Sequence, residues 1–178
     1  MDDGDDFEAC LERARDLLGA SEDATALAEA NEAASRAIAA RPDDAGAWLV
    51  KCQILSAQGD DAAALACSEM AVRRSPRRAE AHYWRAAVLG DLGRFEDGLK
   101  ALDRAFRALA ADDLWMLEDL YYEKATMLDA LGDRAAAVAA FEAGLERCPG
   151  SAILRAGLEP LERQRVRSQF KVIRGGLS

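Results

Sequence analysis

Residues 45–78 read AGAWLVKCQILSAQGDDAAALACSEMAVRRSPRR, and the reading of this stretch decides the fold. It is a helix-forming run, a tight Gly59-Asp60 turn, a second helix-forming run, and a stop at Pro76. Trp48, Leu55, Gly59, Ala64, Ala71 and Pro76 sit at spacings that recur downstream. Gly59 and Gly93 lie 34 residues apart, as do Pro42 and Pro76, whereas Gly93 and Gly132 lie 39 apart, one period plus five. A helix–turn–helix period of this length marks an array of stacked helical units, none of which buries its apolar face alone.

The 178 residues suffice for one domain with a substantial core. They are 51% hydrophobic but only 6% aromatic, and alanine-rich. Small residues let helices approach closely and alanine is the best helix former, so an all-α fold is expected. A net charge of −9 opposes general nucleic-acid affinity, which needs a basic footprint. No run approaches the ~20 apolar residues of a membrane span. The start, MDDGDDFEAC, is acidic where a secretory leader is basic and then apolar. These features predict a cytoplasmic protein, and the Ala, Arg and Asp richness points to a GC-rich bacterial genome. Cys10, Cys52, Cys67 and Cys148 are scattered without a C-x-x-C pair, which predicts small core or boundary residues and no metal site.

Working outward, Asp2, Asp3, Asp5, Asp6 and Glu8 complement the dipole of a first helix. The first helix pair is expected at 6–18 and 25–40, with Gly19 as C-cap and Ser21 or Asp23 as N-cap. Leu27, Ala30, Ala34, Ala37 and Ile38 share one face of the second helix. Residues 6–44 thus form a degenerate first repeat, followed by repeats at 45–78, 79–112 and 118–151. The third repeat is read as helices at 79–92 and 95–109, and the fourth as 118–131 and 134–147. Between them, Asp113-Leu114-Trp115-Met116-Leu117 is an apolar insertion expected to extend a helix or add a packed turn. Residues 152–170 supply an amphipathic capping helix carrying Ile153, Leu154, Leu158 and Leu161, which Pro160 kinks or divides. Residues 171–178 are a tail, and the end is basic through Arg163, Arg165, Arg167, Lys171 and Arg174. All 178 residues are read as one repeat domain.

Over roughly 25–151 the chain resembles the tetratricopeptide-repeat family, whose pattern runs W-x₂-L-G-x₂-Y…A-x₃-F…P. Those places hold Trp48, Lys51, Cys52, Leu55, Ala64, Ser68 and Pro76 in one repeat. In the next they hold His82, Arg85, Ala86, Leu89, Gly98, Leu102 and Ala110, and then Tyr121, Lys124, Ala125, Leu128, Ala137, Phe141 and Pro149. Three small rows keep register: Cys52/Ala86/Ala125, Ala64/Gly98/Ala137 and Ala71/Ala105/Gly144. The resemblance implies a right-handed α-solenoid of about four repeats. It also implies a protein-binding scaffold, adaptor or chaperone-like holder, which takes a partner's peptide or helix in a concave groove and is not an enzyme.

The family's groove places fall here on Leu49, Tyr83 and Tyr122, on Gln53, Ala87 and Thr126, and on Glu80 and Asp119, with Asp91 nearby. This predicts a partner with an apolar or aromatic anchor and basic flanks. The subtype that clamps a C-terminal carboxylate is not expected, because its cationic places hold Leu49, Gln53, Trp84, Asp119 and Glu123. The single His82 is read as a packing residue, and no Gly-rich phosphate loop, metalloprotease or calcium motif is present. No cofactor is therefore expected. Trp84 and Trp115 either fill gaps between helices or form a second, edge-located patch. The alternative function is self-assembly into homo-oligomers through the ends, with the basic C-terminus docking on a neighbour's acidic N-terminus.

Overall fold

The computed structural model describes residues 3–20, 23–109 and 115–175, with side chains described over 6–20, 23–109 and 115–163. All regular structure among the described residues is helical: α1 (Asp3–Ala20), α2 (Ala24–Ala40), α3 (Ala45–Ala57), α4 (Asp61–Arg74), α5 (Ala79–Asp91), α6 (Phe95–Ala108), α7 (Leu117–Ala130), α8 (Arg134–Arg147) and α9 (Ala152–Gly175). The chain divides into two compact units, residues 1–109 and 110–178.

In the first unit, α1 packs on α2, α3 on α4 and α5 on α6. Successive pairs are joined by α2–α3, α4–α5, α1–α3 and α3–α5 contacts. The intra-pair turns follow from glycine. Gly59 and Gly93 have φ of 76° and 69°, a left-handed conformation that side-chain-bearing residues avoid. Each turn closes with a backbone bond five residues back, Asp60 N–H to Leu55 O at 2.9 Å and Arg94 N–H to Leu89 O at 2.8 Å, so orphan carbonyls at the helix end are satisfied. Asp60 then caps α4 by accepting from the Ala63 amide at 3.1 Å. Arg94 stands at the equivalent place and makes no such cap.

The core follows the small rows. Cys52, Ala86, Ala64, Ala71 and Ala105 are all 0% exposed, which sets the close spacing of α3 to α4 and of α5 to α6. The degenerate repeat supplies Phe7, Leu11 and Ala14 of α1 against Ala30, Ala33, Ala34 and Ala37 of α2, and this layer meets Ala47, Val50 and Ile54 of α3. Arg41 spans the edge of the layer, its guanidinium 4.1 Å from the Phe7 ring centre and 2.9 Å from Glu8 Oε1.

In the second unit, α7 packs on α8, and α9 lies against both. Gly132 (φ 84°) repeats the turn, and Asp133 caps α8 through the Ala136 amide at 3.1 Å. Ser151 Oγ accepts from the Leu154 amide at 3.1 Å to start α9. Leu154, Leu158 and Leu161 of α9 then close over Ala125, Ala137, Val138 and Phe141. The approach is tight: a Cβ built on Gly144 falls 2.8 Å from Tyr121 Cβ, and one on Gly157 falls 2.5 Å from Phe141 Cζ.

Several expectations need correction. Gly19 is not a C-cap, because α1 continues to Ala20 and only the three turn glycines carry positive φ among the described residues. Asp23 caps α2, accepting from the Thr25 amide; Ser21 lies outside the described residues. Pro160 does not divide α9, which runs through it to Gly175. Ile153 is 42% exposed and does not share the buried face of Leu154, Leu158 and Leu161. Helices α5, α6 and α7 each end one residue earlier than read, since Leu92, Leu109 and Leu131 act as C-cap residues. Within the insertion, Met116 and Leu117 are buried at 2% and 3%, whereas Trp115 is 65% exposed. That fits the packed turn; Asp113 and Leu114 lie outside the described residues, as do residues 110–112 of the third repeat and 176–178 of the tail. The side chains of Arg165, Arg167, Lys171 and Arg174 likewise lie outside the described set.

Candidate partner-binding groove

The residues at groove places sit on α3, α5 and α7, the first helix of each pair. On α3, Leu49 is only 1% exposed. It packs with Ala71 of α4 and Ala81 of α5, flanked by Trp48, Val72 and Trp84, so it stabilises the junction of adjacent repeats and offers no open surface. Gln53, four residues on, is half-buried.

On α5, Glu80, Tyr83 and Ala87 are all half-buried. Glu80 is held by Arg78, whose Nε donates to Glu80 Oε2 at 2.9 Å, with a second, shorter contact through Nη2. This pairing was not foreseen from the sequence. The Tyr83 ring stands edge-on to Trp84, centroids 5.4 Å apart at 72°, an arrangement that aromatic quadrupoles favour. At the end of α5, burial and the charge of Asp61 push the Asp91 carboxyl up from its ordinary range.

On α7, in the second unit, Tyr122 and Thr126 are half-buried and Asp119 is exposed. Tyr122 packs edge-on to Phe141 of α8, centroids 6.0 Å apart at 67°, so one side of its ring belongs to the α7–α8 interface. Thr126 Oγ1 donates to the Glu123 carbonyl at 3.0 Å. Partial burial and neighbouring Glu118 push the Asp119 carboxyl up. Trp84 contributes to the packing around Cys52, Leu55 and Val88, whereas Trp115 presents most of its surface. The two tryptophans belong to different units.

His82 is a packing residue with a specific hydrogen bond. It is 5% exposed, and its Nε2 lies 2.8 Å from the Pro76 carbonyl oxygen; a carbonyl only accepts, so Nε2 carries the proton. The same lock recurs. Trp48 Nε1 donates to Pro42 O at 2.9 Å and Arg155 Nη2 to Pro149 O at 2.5 Å. Each donor lies six residues after its proline. A nitrogen donor at that offset satisfies a carbonyl left open at the proline stop, a signal legible in the sequence once the offset is known.

Burial pushes the Cys52 thiol up to about 12, with Cys67 adding to the shift, and burial also raises Cys67. Neither thiol is poised as a nucleophile. Among the described residues no helix is long and apolar enough to cross a membrane.

The tetratricopeptide-repeat family model matches residues 118–151. No curated protein sequence matches significantly. Solved structures do. A thermophilic TPR protein from Thermus thermophilus, TTC0263, is 22% identical with a TM-score of 0.73, over 87% of this chain and 80% of that one. The MamA protein is 17% identical with a TM-score of 0.73, over 93% and 86%. The TPR2B domain of yeast Sti1, in its pHsp70 complex, is 15% identical with a TM-score of 0.64, over 70% and 97%. The registered glycine turns, the small rows and these similarities agree: the chain has the all-α helical-repeat fold of the solved tetratricopeptide-repeat proteins, and its 118–151 repeat matches the family's own sequence model.

Proposed function

We propose that the chain is a protein–protein interaction module that holds a peptide or helix of a partner against the first helices of its pairs, with one surface on α3 and α5 in the first unit and a separate one on α7 in the second. The observation that carries this reading is the half-buried state of Gln53, Tyr83, Ala87, Tyr122 and Thr126, one register of the first helices left neither fully packed nor fully solvated. Tyr83 and Tyr122 are each braced edge-on by a second ring, so they offer large contact area at low entropic cost. The raised carboxyls of Asp91 and Asp119 favour a partner with Lys or Arg flanks, because a nearby cation offsets the burial, and after it the like-charge repulsion, that raises them. The similarity to the Sti1 domain, solved in a pHsp70 complex, supports the same class of activity.

The test is selection of binding peptides from a displayed library, followed by titration of the best against wild type, Tyr83→Ala and Tyr122→Ala. Enrichment of an aromatic or aliphatic anchor with basic flanks is expected, together with at least about a tenfold loss, about 1.4 kcal/mol, in the variant whose unit holds the peptide. Unchanged affinity in both folded variants refutes the groove.

A further inference from the structure

We propose that a second, separate site lies between the ends of α4 and α6, and that it takes an acidic peptide segment carrying one apolar side chain. Helix α5 packs on both α4 and α6, whose own backbones stay more than 8 Å apart between Cα atoms. The gap left between them is a cleft of about 570 Å³, lined by Val72, Pro76, Arg77, His82, Arg104, Arg107 and Ala108. All of it belongs to the first unit.

The charge of this cleft is opposite to that of the chain. In a protein of net charge −9, it gathers three guanidinium groups, and none of them is paired with a carboxylate among the described residues. The neighbouring arginines are engaged. Arg74 pairs with Asp43 at 2.6 Å, Arg78 pairs with Glu80, and Arg73 Nη2 donates to Met70 Sδ at 3.0 Å. Arg107 spends only its Nε, on the Asp103 carbonyl at 3.0 Å. Complementing the C-terminal dipole of α6 accounts for Arg107, but not for Arg77 on the loop after α4 or for Arg104 a turn earlier.

A second observation points the same way. His82 forms part of the cleft wall, and its Nδ1 is buried without a hydrogen-bond partner among the described residues. With the proton on Nε2, Nδ1 is an acceptor, so the group that completes its bonding is a donor, such as a backbone N–H of a bound segment or a water. Val72, Pro76 and Ala108 make part of the lining apolar. The volume falls in the range of ligand pockets, ~300–1,000 Å³, and exceeds what one inorganic anion fills. Arginine forks recognise carboxylates in bidentate fashion. A Leu- or Phe-sized side chain between Glu or Asp residues satisfies both the floor and the rim. This site is independent of the proposed groove, which favours basic flanks.

The test uses the full chain and fluorescence anisotropy with a labelled Glu-Asp-Leu-Phe-Glu-Asp peptide, with a Lys-Lys-Leu-Phe-Lys-Lys peptide as comparison. The acidic peptide is expected to bind at least about tenfold tighter than the basic one, and to weaken several-fold from roughly 50 to 300 mM salt. Arg104→Gln/Arg107→Gln, or Arg77→Gln, weakens it about tenfold, whereas Tyr83→Ala leaves it unchanged. The three arginines are exposed, and unchanged thermal unfolding confirms that the variants fold. Equal affinity for both peptides, or no effect of either arginine variant, overturns the proposal. So does saturable binding of inorganic phosphate that fully displaces the peptide, which makes the site one for small anions. Arginine-dependent sedimentation with phosphatidylserine vesicles in the absence of peptide binding assigns the site to a membrane and also overturns it.

Discussion

Replacing Gly144 by alanine tests whether close approach of helices, and not apolar burial in general, holds these repeats together. Alanine normally stabilises a helix interior relative to glycine, by about 1 kcal/mol. At Gly144 the added Cβ meets Tyr121 Cβ at 2.8 Å, Leu154 Cδ1 at 2.9 Å and Tyr121 Cγ at 3.0 Å. Leu154 can rotate its terminal methyl away, but Tyr121 Cβ is fixed to the α7 backbone, so α7 and α8 must separate. Overpacking a filled core costs about 1–3 kcal/mol. With two contacts below 3 Å the upper part of that range applies, and the net loss is about 1–2 kcal/mol. For a chain of this length that lowers the melting temperature by about 2–4 °C per kcal/mol. Gly19→Ala is the matched control: Gly19 lies within α1 with nothing within 4 Å of the added Cβ, so it stabilises by up to about 1 kcal/mol. Thermal and urea unfolding followed by circular dichroism read both variants. If Gly144→Ala is as stable as wild type, or moves in the same direction as Gly19→Ala, the close-approach argument fails.

Other predictions follow from single contacts. Asp60→Ala and Asp133→Ala each remove a helix cap and lower stability by about 1 kcal/mol, whereas Arg94→Ala, at the uncapped equivalent, loses less than about half of that; urea titrations compare the three. His82→Leu removes the part-buried donor to the Pro76 carbonyl and costs about 1 kcal/mol, more than Trp48→Phe at the exposed Pro42 lock, as read by differential scanning calorimetry. The Cys52 thiol keeps its proton in the folded chain to about 12, above its ordinary value of 9.0. Its contribution to stability is therefore full below about pH 9 and declines as the pH rises toward 12, where the unfolded chain alone releases the proton. Cys52→Ala flattens the stability–pH curve over that window, and in the wild type Cys10 and Cys148 react with a thiol reagent before Cys52 and Cys67. Equal labelling rates for all four cysteines refute this ordering.

The architecture was legible because its determinants are local or repeat in register. A left-handed turn accepts glycine almost alone, so Gly59, Gly93 and Gly132 declare the helix–helix turns without any tertiary information. The rows headed by Cys52, Ala64 and Ala71 declare where helices touch, since no larger side chain fits there. The misreadings share a cause. Gly19 resembles a C-cap in composition, but helix α1 continues through it on the packing of Phe7, Leu11 and Ala14. Pro160 resembles a break, yet α9 is held on both sides of it by Leu158 and Leu161.

The sequence by itself determined the repeat period and the pairing of helices, because backbone conformation and close approach depend on residue type at fixed spacing. Only the tertiary structure decided which residues of one register are open. Leu49 and Tyr83 occupy the same place in successive repeats, but Leu49 is sealed by Ala71 and Ala81 whereas Tyr83 stays half-buried beside Trp84. It also decided that Arg77 meets Arg104 and Arg107 in one cleft. Charges some thirty residues apart carry no periodic signal; they become neighbours only when α5 packs on both α4 and α6 and holds those helices apart.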